Sequence, residues 1–346
     1  MEAEYRVLKP EDIPHSLRRM FAVDVLDGFS RKPRRIPPVY LYDEKGNELF
    51  EKITELEEYY IARCEREILA DNRAGIAALI PPEPFNLIEL GAGDGRKTVL
   101  LIEHFMREGL EFQYIPLDVS AEAISSLTTS LREKFPVASL KVDGIIAEYF
   151  DGLKWLANLK GTRNLVLFLG SNIGNFDHYA MRRFLRRLWD CLKPRDQVLI
   201  GFDLKKDIAV LNRAYNDAAG VTREFNLNLL DRINKELGGN FDRNKFAFHS
   251  GYNVVTGAVD SFLVSLEEQE VMLGDLEKMF RFDAWEGIHT ESSYKFLRSE
   301  IRCLAEETGF RVEQEFLDKR GYFADSLWSV EKPGSAGFDT CSTPRR

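Results

Sequence analysis

The segment FNLIELGAGDGRKT, residues 85 to 98, restricts the possible fold more than any other part of the chain. Phe85, Leu87, Ile88 and Leu90 form a short apolar run of strand character, three glycines follow at every second position, and a helical pattern begins directly after them. Strand, tight turn and helix start in that order open a parallel βαβ unit. Gly91, Gly93 and Gly95 remove the side chains that would keep a ligand off the backbone. About one strand later YIPLDVS ends in Asp118, where such folds place an acid that accepts hydrogen bonds from the ribose hydroxyls of a nucleoside. The spacing departs from GxGxxG, and no basic residue near Asp118 marks a 2′-phosphate pocket, so the pattern favours S-adenosylmethionine over a dinucleotide. A turn that merely joins strand to helix accounts for the glycines but not for the acid.

Four apolar runs, at residues 85–91, 113–119, 164–170 and 197–203, are separated by VLLIEHFMREGL, AEAISSLTTSLREKF and YAMRRFLRRLWDCL, whose apolar residues recur at spacings of three and four. Strands alternating with helices predict a parallel sheet with helical cover. SLKVDG at 139–144 adds a weaker strand, and residues 311–318 and 323–331 complete the sheet. Between these parts the character changes. AVLNRAYNDAA and REFNLNLLDRINKEL read as helices, whereas HSGYNVV, AVDSFLVSL and EQEVML read as strands. A chain of 346 residues exceeds the usual single domain. We therefore expect an α/β protein in two units: 63–205 plus 295–332 carrying the sheet, and 1–62 plus 206–294 forming a smaller α+β lid over the carboxyl ends of its strands, with 333–346 a flexible tail.

The net charge of −9 argues against a nucleic-acid surface, despite a local RKPRR at 31–35. Cys64, Cys191, Cys303 and Cys341 are far apart and include no CxxC pair, which predicts reduced thiols, a cytoplasmic location and no zinc site. No run of 18 apolar residues and no signal-peptide order occurs, so no membrane association is expected. The five histidines lack metal-ligand spacing, and no metal is expected.

FLGSNIGNF at 168–176 ends the third apolar run in glycines flanked by polar side chains, as a ligand-facing loop would. Asn175 there carries a donor and an acceptor suited to an amino acid's carboxylate and amine, or else caps the next helix. Tyr59 and Tyr215 stand beside polar residues, yet by themselves they read more readily as half-buried core tyrosines than as ligand contacts. In GIHTESSYKF, Thr290 to Ser293 interrupt apolar surroundings, and a ligand segment and a helix cap both explain them.

Taken together, LYDEKGNELFEKITELEEYY, ELGAGDGRKT, FLGSNIGNF, RAYNDAAGVTREFN and HTESSYKF resemble, in order and spacing, the S-adenosylmethionine-dependent histidine Nα-methyltransferases of ergothioneine biosynthesis, over roughly residues 30–330. The resemblance implies a Rossmann-like methyltransferase sheet joined to a second domain built from the N-terminal region and an insertion. It implies that the α-amine of free L-histidine is trimethylated to hercynine, with S-adenosylhomocysteine as the by-product; methylation of another aromatic, tryptophan-like amino acid and S-adenosylmethionine binding without catalysis are the alternatives, and a monomer is expected. It places Gly91, Lys97, Asp118 and Gly170 at the cofactor, together with Gly93 of the same turn. Tyr59, Asn175 and Tyr215 match the residues that hold the substrate's carboxylate and amine, Tyr42 matches a tyrosine beside the amine, and Glu291 and Ser293 match the pair that bonds the imidazole. Asn175 and Tyr42 thereby become the catalytic candidates, one aligning the amine and the other aiding proton departure. Three departures from the pattern stand out: Ile145 and Ile146 at an Asp-Phe pair beside the adenine, Ser261 at a methionine beside the imidazole, and Asn172 at a threonine.

Overall fold

The computed structural model describes residues 5–7, 13–135, 139–159 and 161–332. The expected tail and Cys341 lie outside the described residues. A nine-stranded sheet forms the larger layer, in the order Tyr5–Val7, Gly144–Ile146, Phe112–Asp118, Phe85–Leu90, Arg163–Phe168, Gln197–Asp203, Phe323–Val330 and Phe310–Leu317, with Lys141–Val142 pairing beside Phe112–Asp118. The first six in that order run parallel, Phe323–Val330 pairs antiparallel with Gln197–Asp203, and Phe310–Leu317 pairs antiparallel with Phe323–Val330 and so returns to the direction of the first six. All six residues of Phe85–Leu90 are buried, which is why this strand reads as a continuous apolar run at the centre of the sheet. Helices Thr98–Arg107, Ala121–Lys134 and His178–Cys191 are among those that cover the sheet. Their starts are fixed locally: Ser120 accepts from Ala123 N–H at 3.1 Å and Asp177 from Ala180 N–H at 2.7 Å.

From Phe85–Leu90 the chain passes to one neighbour, Phe112–Asp118, and only later crosses to the other, Arg163–Phe168. Strand order therefore reverses at the glycine turn, and a crevice opens at the carboxyl ends there.

A second, four-stranded sheet has the order Arg34–Arg35, Gly287–Tyr294, Ala258–Ser265 and Phe246–Asn253, and a hairpin of Gln269–Leu273 with Lys278–Phe282 stands beside it. Helices Glu44–Glu55 and Val221–Leu237 pack on each other, and the latter also packs on this sheet.

Several elements differ from the sequence-based expectation. Tyr5–Val7 extends the edge of the large sheet rather than joining the second unit, because its partner Gly144–Ile146 would otherwise leave an open ladder. Helix Tyr60–Ala78 packs on Thr98–Arg107 and Phe323–Val330, so the large layer takes up the chain at Tyr60, three residues before the expected boundary at 63. The strand expected at 139–144 is two short strands, the second reaching Ile146. GIHTESSY is a strand in its own right, not a cap. Among the described residues no helix is long and apolar enough to cross a membrane.

Candidate active site

Tyr42, Tyr59, Gly170, Asn175, Tyr215, Glu291 and Ser293, drawn from both layers, line one cavity. Each is placed by a local device. Tyr42 directly precedes Asp43, which caps helix Glu44–Glu55 by accepting from Gly46 N–H at 2.8 Å and also accepts from the Asn228 amide at 2.7 Å. Tyr59 immediately precedes helix Tyr60–Ala78, and Tyr215 ends helix Ile208–Tyr215. Their rings stand 6.2 Å apart, edge to face, while Tyr42 meets Phe50 at 5.4 Å and Phe225 at 5.3 Å. The result is an aromatic wall with phenolic hydroxyls.

Glu291 and Ser293 occupy alternate positions of the strand Gly287–Tyr294 and so share a face. A bulge opposite the Ser261–Phe262 step leaves Thr290 as the extra residue, its hydroxyl donating to Asn226 Oδ1 at 2.6 Å. Such a bulge re-aims the residues beyond it. Ser261 lies directly across from Glu291, buried, with its hydroxyl 3.3 Å from that of Ser250. Burial pushes the Glu291 carboxyl up to about 7, against the opposing pull of Lys295 and His289. Burial likewise raises the Tyr42, Tyr59 and Tyr215 phenols well above their ordinary value, so all three keep their protons at neutral pH.

Asn175 closes a short 3₁₀ turn, Asn172–Asn175, at the end of strand Arg163–Phe168. Asp177, not Asn175, caps the following helix, which removes the capping explanation for Asn175. In the same loop Gly170 has φ +79° and Ser171 φ +56°, a left-handed pair held by the bond from Asp203 N–H to Ser171 Oγ at 3.1 Å.

The glycine turn lies beside this loop. Gly91 has φ +75°, and a Cβ there would meet the Tyr149 hydroxyl at 2.7 Å and the Asn172 amide at 3.2 Å; a Cβ at Gly93 would stand in open space. Asp118, at the end of the neighbouring strand, accepts from the Gly93 and Ser120 N–H groups at 3.0 Å each, and burial raises its carboxyl against those bonds. The Lys97 ammonium pairs with the fully buried Glu65, whose other oxygen accepts the Gly170 N–H at 2.6 Å. Burial opposes the lysine's charge, yet Glu65 more than offsets it and holds Lys97 above its ordinary value. These features fit a nucleoside-bearing sulfonium: a backbone cradle without side chains, and a carboxylate at the strand end.

Ile145 and Ile146 do not form an adenine pair. Both are buried within the sheet, in the strand next to Phe112–Asp118. The acid and aromatic that follow this strand are Glu148 and Tyr149, and Tyr149 is the residue whose hydroxyl reaches Gly91. Nothing in the sequence ties this dipeptide to the glycine turn; the short strand ending at Ile146 and the helix that begins at Tyr149 bring it there. Glu65, Phe50 and Phe225 were also missed. Each lies in a helical pattern that reads as ordinary core or surface, and only packing brings it to the site.

The chain is similar to known proteins along most of its length. A family model described as histidine-specific, S-adenosylmethionine-dependent methyltransferase matches residues 21–330. The histidine N-alpha-methyltransferase of Mycobacterium tuberculosis is 34% identical over 318 residues, covering 92% of this chain and 96% of that protein. The enzyme of the same name from Mycolicibacterium smegmatis is 34% identical over 320 residues, covering 92% and 97%. Ergothioneine biosynthesis protein 1 of Schizosaccharomyces pombe is 31% identical over 316 residues, covering 90% of this chain and 39% of that longer protein.

Proposed function

Because this chain belongs to the S-adenosylmethionine-dependent, histidine-specific methyltransferases, we propose that it trimethylates the α-amine of free L-histidine to give hercynine. The observation that carries the reading is that Glu291 and Ser293 of the second sheet line the same cavity as Gly170 and Asn175, in the loop that follows strand Arg163–Phe168 of the first. A carboxylate that accepts one ring N–H and a hydroxyl that meets the other nitrogen suit an imidazole, and rings without those groups would leave both side chains unpaired.

When bound at Gly91, Gly93, Lys97, Asp118 and Gly170, S-adenosylmethionine supplies a methyl carbon activated by positive sulfur. The side chains have to align an amine lone pair with that carbon, so positioning is the main catalytic task. Asn175, Tyr59 and Tyr215 hold the amino acid's carboxylate and amine. Tyr42 passes the departing proton on as a protonated hydroxyl relay, since burial keeps it from acting as a phenolate base. The aromatic wall of Tyr42, Phe50, Tyr59 and Phe225 then faces an amine that becomes bulkier and permanently cationic, an environment that cation–π attraction favours. A trimethylated nitrogen has no lone pair, and the series stops there.

A cytoplasmic monomer, as expected from the sequence, belongs to the same reading, and among the described residues Cys64, Cys191 and Cys303 are free thiols, as a reducing compartment would keep them. Incubation with labelled S-adenosylmethionine and histidine, followed by mass spectrometry, tests the proposal. One, two and three added methyl groups are expected, and absence of any methylated histidine while another amino acid is methylated would refute it.

A further inference from the structure

Lys295 lies two residues past Ser293 with its side chain wholly buried, and the chemistry above gives it no part. An ammonium has three N–H donors. Here they go to Asp203 Oδ2 at 2.8 Å, to the Tyr215 hydroxyl at 2.7 Å and to the Ser293 hydroxyl at 2.7 Å. The Tyr215 hydroxyl in turn donates to Ser293 Oγ at 2.8 Å. A serine oxygen accepts two hydrogen bonds and donates one. Both acceptor sites of Ser293 are therefore filled from behind, and its own O–H is the capacity left for the cavity.

The lysine is held in place by a buried counter-charge. Asp203 also accepts from Tyr60 at 2.8 Å and pairs with Lys206, whose ammonium donates to Tyr60 at 2.7 Å. Burial pushes the Asp203 carboxyl up, and the two lysines more than offset it and keep it below its ordinary value. Of those two lysines, Lys295 is the one bonded to cavity hydroxyls.

We propose that Lys295 is a positioning residue that fixes Ser293 as a hydrogen-bond donor, so that with Glu291 as acceptor the pocket selects a ring bearing one N–H and one bare nitrogen. This rests on the histidine reading and deepens it: the ring is taken neutral and in a single tautomer. Without Lys295, the Ser293 hydroxyl is free to accept as well as donate, and discrimination at that nitrogen relaxes.

The test uses the full chain with S-adenosylmethionine, comparing wild type, Lys295→Met and Lys206→Met. The substrates are histidine and its pyrrole analogue, in which carbon replaces the bare nitrogen. For Lys295→Met the histidine KM should rise about tenfold with kcat within about threefold, and the preference for histidine over the pyrrole should shrink about tenfold, because one oriented hydrogen bond is lost. Lys206→Met should leave the histidine KM within about twofold, since it touches Asp203 and Tyr60 but no cavity hydroxyl. Both variants should bind S-adenosylhomocysteine as wild type does in calorimetry. If Lys295→Met does not fold, the double variant Asp203→Asn/Lys295→Met removes both charges and carries the same expectation. An unchanged histidine KM in the Lys295 variant, or equal shifts in both lysine variants, overturns the proposal alone. A wild type that methylates no histidine removes the substrate reading beneath it as well.

Discussion

The Asp118 carboxylate accepts the backbone N–H of Gly93 at 3.0 Å, so the acid at the end of one strand braces the glycine turn at the end of the next. Asp118 thus shapes the glycine turn, and in the proposed function its remaining lone pairs would face a ribose. Asp118→Ala removes both roles. Affinity for S-adenosylhomocysteine should fall about 10- to 100-fold, as loss of charge-assisted hydrogen bonds implies. Calorimetry reads this directly, and affinity within threefold of wild type would rule out Asp118 as a cofactor residue.

Gly95 and Gly93 separate backbone strain from crowding. Both have positive φ, +64° and +52°, but a Cβ at Gly95 would stand 2.4 Å from Leu127 Cδ1, whereas one at Gly93 meets nothing within 4 Å. Alanine at either position takes on the left-handed penalty of about 1–2 kcal/mol, and Gly95→Ala adds about 1–2 kcal/mol of overpacking against the buried Leu127. Urea unfolding of the ligand-free proteins should rank wild type above Gly93→Ala and Gly93→Ala above Gly95→Ala. Equal losses would show that Leu127 gives way freely.

The large sheet was legible because its central strands are buried on both faces and so appear as unbroken apolar runs bounded by glycine turns. The second sheet was harder to read. Its strand Gly287–Tyr294 alternates polar residues that serve a cavity, and Thr290 to Ser293 therefore look like a cap when only neighbours in sequence are considered. The site was legible where chemistry is written in short motifs, as at Gly91 to Gly95 and Gly170 to Asn175. It was illegible where long-range pairing decides. Nothing near Glu65 in sequence indicates that its carboxylate will join Lys97 to the Gly170 backbone, and nothing near Lys295 points to Asp203, a partner 92 positions earlier (295 minus 203).

Tyr42 carries a phenol raised well above its ordinary value, first by burial and then by Glu291 and the neighbouring tyrosines. A relay hydroxyl of this kind eases proton departure but does little to hold the ring. Tyr42→Phe should lower kcat about tenfold and leave the histidine KM within about threefold, at the modest end of proton-transfer effects. Steady-state assays of S-adenosylhomocysteine release measure both constants. A change confined to KM would make Tyr42 a binding residue only.

Glu291 links stability, pH and recognition. Burial raises its carboxyl from 4.5 to about 7 in the folded chain. Between those values the folded protein retains a proton that the unfolded chain has released, so stability falls as pH rises through that window. Glu291→Gln removes the charge that burial penalises. The ligand-free variant should match wild type near pH 4.5 and exceed it at pH 8 by about 1–3 kcal/mol, the higher figure being the limit without solvent screening. Activity moves the opposite way. The ionised carboxylate is the form that accepts a ring N–H, so wild-type kcat/KM for histidine should drop as pH falls through about 7. The glutamine variant should lose about 10- to 100-fold in kcat/KM at pH 8, as the charged acceptor is replaced by a neutral one. Histidine's own ring titrates close by, at about 6.5, but that contribution is common to both proteins, and the ratio of their pH profiles isolates Glu291. Chemical denaturation and initial rates measured at matched pH values give the two curves, and profiles that superimpose in both experiments would remove Glu291 from the substrate site.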